Sequence, residues 1–273
     1  MTVHTYGLEF ETIGLTTRNA AHAITAAGIS CDGQRYNHET SSVWKAVPDA
    51  SLNGDISAEI VSPILLTERL NEARTVSRAL LAAGARVNRS TGFHVHMGAD
   101  RIGLRKPLAN LVVNYYTVHE IFANLVAPKR TECTSASHDR YCRECSIRWA
   151  KALTLEQAHE TADCLNNGNF GFADVDRYYS LNLNSVDRHG TIEFRLHQGT
   201  LNASKALAWV NFLTSMVNYS MDGRHLPAEW YGLGKAESMV KLPNLLTLMR
   251  ECGMSDSTYD YLLRRADELA GRG

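Results

Sequence analysis

The chain has 273 residues and no Pro-, Gly- or Ser-rich linker, so a single domain spanning 1–273 is the expectation. Hydrophobic residues make up 44% and charged residues 21%, which excludes a disordered chain, and a formal charge of −1 argues against an extended nucleic-acid surface. No run approaches the ~18 apolar residues of a membrane span, the first residues carry no leader pattern, and six scattered cysteines read as free thiols of a reducing cytoplasm.

Residues 5–12, TYGLEFET, alternate: Leu8 and Phe10 point one way, Glu9 and Glu11 the other, which predicts a strand with an acidic face. A helix is expected over about 17–27, stopped by Gly28. Short strands follow near Val43–Val47 and Ala58–Val61, separated by the turn-rich PDASLNGD. A second helix starts near Thr67, with Leu70, Ala73, Val76 and Leu80 on one face and Gly84 at its end. The segment 85–98 reads as extended, and in GFHVHMG the imidazoles of His94 and His96 share a face opposite Phe93, Val95 and Met97.

Pro107 suits the first turn of a long helix to about Val126. After a cysteine-containing loop, Thr154 and Gln157 predict a capping box for a helix ending at Asn167-Gly168. RYYSLNLN and TIEFRLHQG then read as two strands joined by a hairpin turn through Asp187–Gly190. In the first, Leu181 and Leu183 oppose Asn182 and Asn184; in the second, Ile192, Phe194 and Leu196 oppose Glu193, Arg195 and His197. Asn202 caps a helix to about Met221, and a last amphipathic helix begins near Ser255.

Strands with one apolar side and one side of Glu, His, Asn or Arg predict an α+β protein: a curved, largely antiparallel sheet, helices on its convex face and a polar cleft on the other. A lone Glu-x-Glu is ordinarily a solvated strand face, and a lone His-x-His is more often core or surface histidine than a ligand pair. Three such strands, recurring as ExE, HxH and ExRxH, make a set suited to divalent metal and phosphate.

Taken in order, GLEFET, SVWKAVPDASL, AEIVSP, STGFHVHMG, RYYSLNLNS and TIEFRLHQGTLNA resemble the pattern of the amidoligase family, within the carboxylate-amine ligase superfamily of glutamine synthetase and glutamate-cysteine ligase. The resemblance covers about residues 5–220, leaving 222–273 as a C-terminal helical extension. It implies a glutamine-synthetase-like sheet binding ATP with Mg2+, Mn2+ being the alternative ion, and amide formation through an acyl phosphate. By the same resemblance Glu9, Glu11, Glu59, His94 and Glu193 hold metal. His94, His96, Arg177 and Asn182 contact the nucleotide, and Arg195, Arg177 and Glu11 serve the chemistry. The base that takes the amine's proton stays open among Glu11, His96 and His197. Ala50 stands where the family pattern has Gly, and a turn needing positive φ there would be strained.

No GxxxxGK[ST], HExxH or GxSxG occurs, so a P-loop, a common zinc protease and a serine hydrolase are not indicated. Two rival readings remain. The same acids and histidines could hold a metal that activates water for hydrolysis. Alternatively, Cys133, His138, Cys142 and Cys145 could form a zinc knuckle in a non-catalytic binding module, although only one CxxC is present. The partners expected are small-molecule or peptide carboxylates and amines; substrate identity and oligomeric state are not legible.

Overall fold

A computed structural model of the chain describes residues 4–37, 39–52, 54, 56–99, 105–130, 153–172 and 179–271. Among them are β1 (Thr5–Ile13), α1 (Thr17–Ala26), β2 (Cys31–Gly33), β3 (Trp44–Val47), β4 (Ser57–Val61), β5 (Leu65–Leu66), α2 (Glu72–Ala82) and β6 (Phe93–Gly98). There follow α3 (Arg105–Thr117), α4 (His119–Ala123), α5 (Leu155–Asn167), β7 (Leu181–Asn182), α6 (Asn184–His189), β8 (Thr191–Phe194), α7 (Ala203–Met221), α8 (Lys235–Glu251) and α9 (Asp256–Ala270). The protein is mixed α+β, with one open sheet ordered β2-β3-β4-β1-β6-β8-β7 and β5 paired to β1. Every pairing is antiparallel except β2 with β3.

Register follows from the period-2 pattern. Leu8, Phe10, Ile60, Phe93, Val95, Ile192 and Phe194 are each buried to within 1% exposure and join one core with helix residues such as Ile24, Val76, Tyr115, Trp209 and Phe212. Burying a side chain of this size contributes about 1.5–3 kcal/mol. A one-residue slip would turn every such side chain to the polar face, so the register is strongly specified. Glu9 therefore lies opposite His94 across β1 and β6, Glu11 opposite Glu59 across β1 and β4, and His96 opposite Glu193 across β6 and β8.

Helix starts follow their caps. The Thr16 side chain accepts from Asn19 N, Thr154 and Gln157 form the expected capping box, Asn202 caps α7, and Ser255 caps α9. Gly168 ends α5 in the left-handed conformation.

Four expectations are corrected. The helix from Pro107 is broken at Val118, whose backbone (φ −116°, ψ 17°) leaves the helical region, so α3 and α4 are separate. In place of a hairpin turn, the chain after β7 winds into α6 and is stopped by left-handed Gly190. Asn182 Oδ1 accepts from Asn184 N at 2.9 Å and Ser185 Oγ donates to Thr191 O at 2.6 Å, and these local bonds hold the turn of helix between the strands. Asn184 consequently sits on a helix rather than on a strand face. No described non-glycine residue has positive φ, so Ala50 is unstrained, and Asp49 Oδ1 accepts from Ser51 N at 2.8 Å.

The helix α8 lies within the helical extension expected over 222–273, although no sequence signal marked its bounds. Pro243 lies inside it and removes one amide donor. Its buried Leu242, Leu245, Leu246 and Met249 nevertheless belong to the same core cluster as the sheet. Among the described residues no helix is long and apolar enough to cross a membrane.

Candidate active site

On the polar face, β1, β4, β6 and β8 bring together Glu9, Glu11, Glu59, His94, His96 and Glu193. Glu9 is the hub: His94 Nδ1 lies 3.0 Å from its Oε2 and His96 Nε2 lies 3.1 Å from its Oε1. His94 also stands 3.7 Å from Glu11 Oε1 and 3.7 Å from Glu193 Oε1, and His96 Nε2 stands 3.9 Å from Glu193 Oε1. Two groups of donor atoms each lie within 4.8 Å of one another, Glu9 with His96 and Glu193, and Glu9 with Glu59 and His94. Both share Glu9. Carboxylate oxygens with imidazole nitrogens make a donor set fitting Mg2+ or, with more nitrogen, Mn2+.

The electrostatics are set by burial and by these neighbours. Burial works against charge on Glu9, yet His96 and His94 hold its carboxyl well below the usual range. Burial likewise opposes the charge on Glu193, but the Arg195 guanidinium beside it and His96 keep it low. Glu59 is pushed well above the usual range by burial and then by the charges of Glu9, Glu11 and Asp49. Burial raises Glu11 as well, in spite of His94. For His96, burial disfavours the imidazolium, but Glu9 and Glu193 raise its pKa on balance.

Arg195 follows the last residue of β8, and its Nη1 donates to Glu193 Oε1. Asn182 Nδ2 donates to the other oxygen, Glu193 Oε2, at 2.6 Å. Both are thus gathered at the cluster. Arg177, Cys133, His138, Cys142 and Cys145 lie outside the described residues. Cys31, Cys164 and Cys252 are free thiols.

His197 is a correction. Its ring packs against Phe93 at 5.8 Å and Trp209 at 5.3 Å between centroids, on the helical side of the sheet. Val95 faces Phe194 while Gly92 faces Gln198, so the chain after β8 carries one residue more than β6 between these pairs. That bulge reverses the alternation beyond Arg195 and takes His197 out of the cleft. Burial then holds its pKa well below the usual value, so it stays neutral. The proton-acceptor candidates that remain at the cluster are Glu11 and His96.

Three contributors were missed in the sequence. Gly92 N donates to Glu11 Oε2, and a Cβ at Gly92 would lie 2.7 Å from His94 Nε2, 3.2 Å from Arg130 Nη2 and 3.3 Å from Glu11 Oε2. A glycine immediately before a His-x-His strand was the available signal. Arg130, 6% exposed, donates to the carbonyls of Arg195 at 2.9 Å, Leu196 at 3.1 Å and His197 at 3.1 Å, clamping the bulge. Nothing in its local sequence pattern marks it. Lys45 lies on β3, 4% exposed, with Nζ donating to Asn37 Oδ1 at 2.9 Å and Glu39 O at 2.6 Å. A lysine inside the apolar run VWKAV was its signal.

Comparison with curated proteins finds no match. The model of the family described as "Putative amidoligase enzyme" matches residues 2–217, a span that contains every described residue of the cluster. The chain therefore belongs to the amidoligase family.

Proposed function

We propose that the protein is an ATP- and divalent-metal-dependent carboxylate-amine ligase of glutamine-synthetase-like architecture, acting in the cytoplasm. The observation that carries this reading is the gathering of Glu9, Glu11, Glu59, His94, His96 and Glu193, from four strands, on the polar face of one sheet. Membership of a family described by amidoligase activity gives the reaction class.

A carboxylate is a poor electrophile, so joining it to an amine at neutral pH requires activation. In the proposed sequence a carboxylate oxygen attacks the γ-phosphorus of ATP, the bond to ADP breaks, and an acyl phosphate forms. The amine then attacks the acyl carbon, phosphate leaves, and the ammonium proton passes to a base. Glu9, Glu59, His94, His96 and Glu193 would hold the metal, with Glu11 completing the set. When bound, the cation offsets the repulsion between carboxylate and polyphosphate. Arg195 supplies a fixed positive charge on the same side, positioned by Glu193, and Asn182 holds the opposite oxygen of Glu193. Whichever of Glu11 and His96 is left free of the cation would take the proton.

The test is calorimetric and chemical. ATP should bind only with Mg2+ or Mn2+, and Glu9→Gln should abolish that binding. With hydroxylamine as a general amine and a panel of carboxylic acids, a cognate acid should yield a hydroxamate together with ADP and phosphate. Absence of nucleotide binding with either ion, alongside metal-dependent amide hydrolysis, would replace this reading with the hydrolase.

A further inference from the structure

A cavity of about 230 Å3 lies among the helices, lined by α4, the segment from it to Pro128, the start of α8 and the last turns of α9. It shares no lining residue with the polar-face cluster. Its volume exceeds the ~150 Å3 that accepts a benzene-sized group. It falls below the ~300–1,000 Å3 of pockets for drug-sized ligands, so it suits an occupant of amino-acid size rather than a nucleotide. The walls given by α8 and α9 lie beyond residue 217, where the family match ends. The cavity therefore depends on a part of the chain that the family pattern does not cover.

Its lining is mostly apolar, with Val126, Leu233, Met239 and Leu269 among the larger side chains, and it carries two charged groups of opposite sign, Glu120 and Lys235. Glu120 comes from α4, and its Oε2 is buried with no hydrogen-bond partner among the described residues. Buried polar atoms are almost always paired, so this oxygen marks a place for a donor that a ligand brings. Burial raises the Glu120 pKa, and a cation at the oxygen would offset that cost. Lys235 is exposed and is the first residue of α8, a helix of 17 residues whose N-terminus favours negative charge beside it. The two sides are tied together. Asn124 Nδ2 donates to Ser238 Oγ at 2.8 Å, and Ser238 Oγ donates to Lys235 O at 2.9 Å.

We infer that this cavity is a binding site for a small aliphatic α-amino acid, separate from the catalytic cluster. The ammonium donates to Glu120 Oε2, the carboxylate lies at Lys235 and the first turn of α8, and the side chain packs against Val126, Met239 and Leu269. An amine without a carboxylate leaves Lys235 facing a like charge, and an acid without an amine does the same to Glu120. Only a zwitterion with an apolar body meets all three features of the lining.

The experiment titrates the full chain near neutral pH with L-leucine, L-serine, isopentylamine and 4-methylpentanoate, followed by saturation-transfer NMR. Isopentylamine is leucine without its carboxylate, 4-methylpentanoate is leucine without its amine, and serine keeps both ends without the apolar body. Metal and nucleotide are left out, so the outcome does not depend on the ligase reading. Leucine should bind with a Kd of about 1 mM or below. Each of the other probes should bind at least ~10-fold more weakly, through loss of a charged contact or of apolar burial. Glu120→Gln, shown to be folded by a circular-dichroism melt, should weaken leucine at least ~10-fold, whereas Glu9→Gln in the cluster should leave leucine binding unchanged. No saturable leucine binding, isopentylamine or 4-methylpentanoate binding as tightly as leucine, or serine matching it overturns the inference. So does leucine binding that survives in Glu120→Gln or is lost in Glu9→Gln, since the ligand then sits elsewhere. The probe series on wild type decides the question even where a variant fails to fold.

Discussion

Replacing Gly92 by Ala adds one methyl group at the centre of the cluster. The backbone there is not in the left-handed region, so alanine costs nothing by conformation and would even lower the entropy of the unfolded chain, a gain of about 0.4–1 kcal/mol. The new Cβ would lie 2.7 Å from His94 Nε2 and 3.3 Å from Glu11 Oε2. Both side chains are nearly buried, at 1% and 4% exposure, and cannot swing into solvent. His94 must move, and with it the contact to Glu9 that orients the hub. Disturbing groups that orient ligands typically costs 10–100-fold in metal affinity, and about that loss is expected for Mn2+. Electron paramagnetic resonance titration measures it, and a thermal melt in chelator should show a Tm within a few degrees of wild type. Wild-type Mn2+ affinity in a folded Gly92→Ala protein would refute the placement of the metal between these residues.

Glu193→Gln keeps shape and removes charge, so metal and metal-nucleotide binding should weaken, by calorimetry, in a protein whose circular-dichroism melt is retained. Arg195→Lys keeps charge but loses the planar fork toward Glu193, so nucleotide should still bind while turnover falls about 100-fold or more. His119, buried among Tyr115, Tyr116 and Phe122, has its pKa lowered by burial to about 4. Its folded pKa lies below the unfolded value of about 6.5, so its contribution is fully present above that value and is lost as pH falls toward 4, about 3 kcal/mol in all. Urea unfolding at pH 7 and pH 5 should show a smaller loss of stability for His119→Gln than for wild type; equal losses would count against a neutral buried imidazole.

Much of the site was legible because strand parity is a strict code. Once Leu8 and Phe10 are assigned to the core, Glu9 and Glu11 must share the other face, and the same holds for His94 with His96 against Phe93, Val95 and Met97. Parity fails only where the ladder does. The extra residue after β8 carried His197 to the core side, and a bulge leaves no trace in the alternation of TIEFRLHQG. Short elements were equally opaque: β2 has three residues, CDG, and is recognisable only through its parallel partner β3. In α8 the apolar residues are spread around the helix and Pro243 interrupts the pattern, so its place in the core comes from tertiary packing. Arg130 acts through three backbone carbonyls far along the chain, an arrangement that a local pattern cannot encode.

The cluster also has a cost that follows from its geometry. Glu59 is a carboxyl whose folded pKa is raised by burial and by Glu9, Glu11 and Asp49. The folded state therefore holds its proton more tightly than the unfolded state. Its stabilising share is fully present below the unfolded pKa of about 4.3 and is lost as pH rises through the folded value. Above that range it opposes folding, and a bound cation is what offsets the repulsion. Glu59→Gln should consequently raise the Tm of metal-free protein, increasingly as pH rises from 5 to 8, while weakening Mn2+ binding. In saturating Mn2+ the order should reverse, since the ion stabilises wild type by mass action more than the variant. Differential scanning fluorimetry with and without Mn2+ across that pH range reads both effects. A Glu59→Gln protein less stable than wild type in chelator at pH 8 would show that Glu59 is held by favourable contacts rather than by the need for a cation.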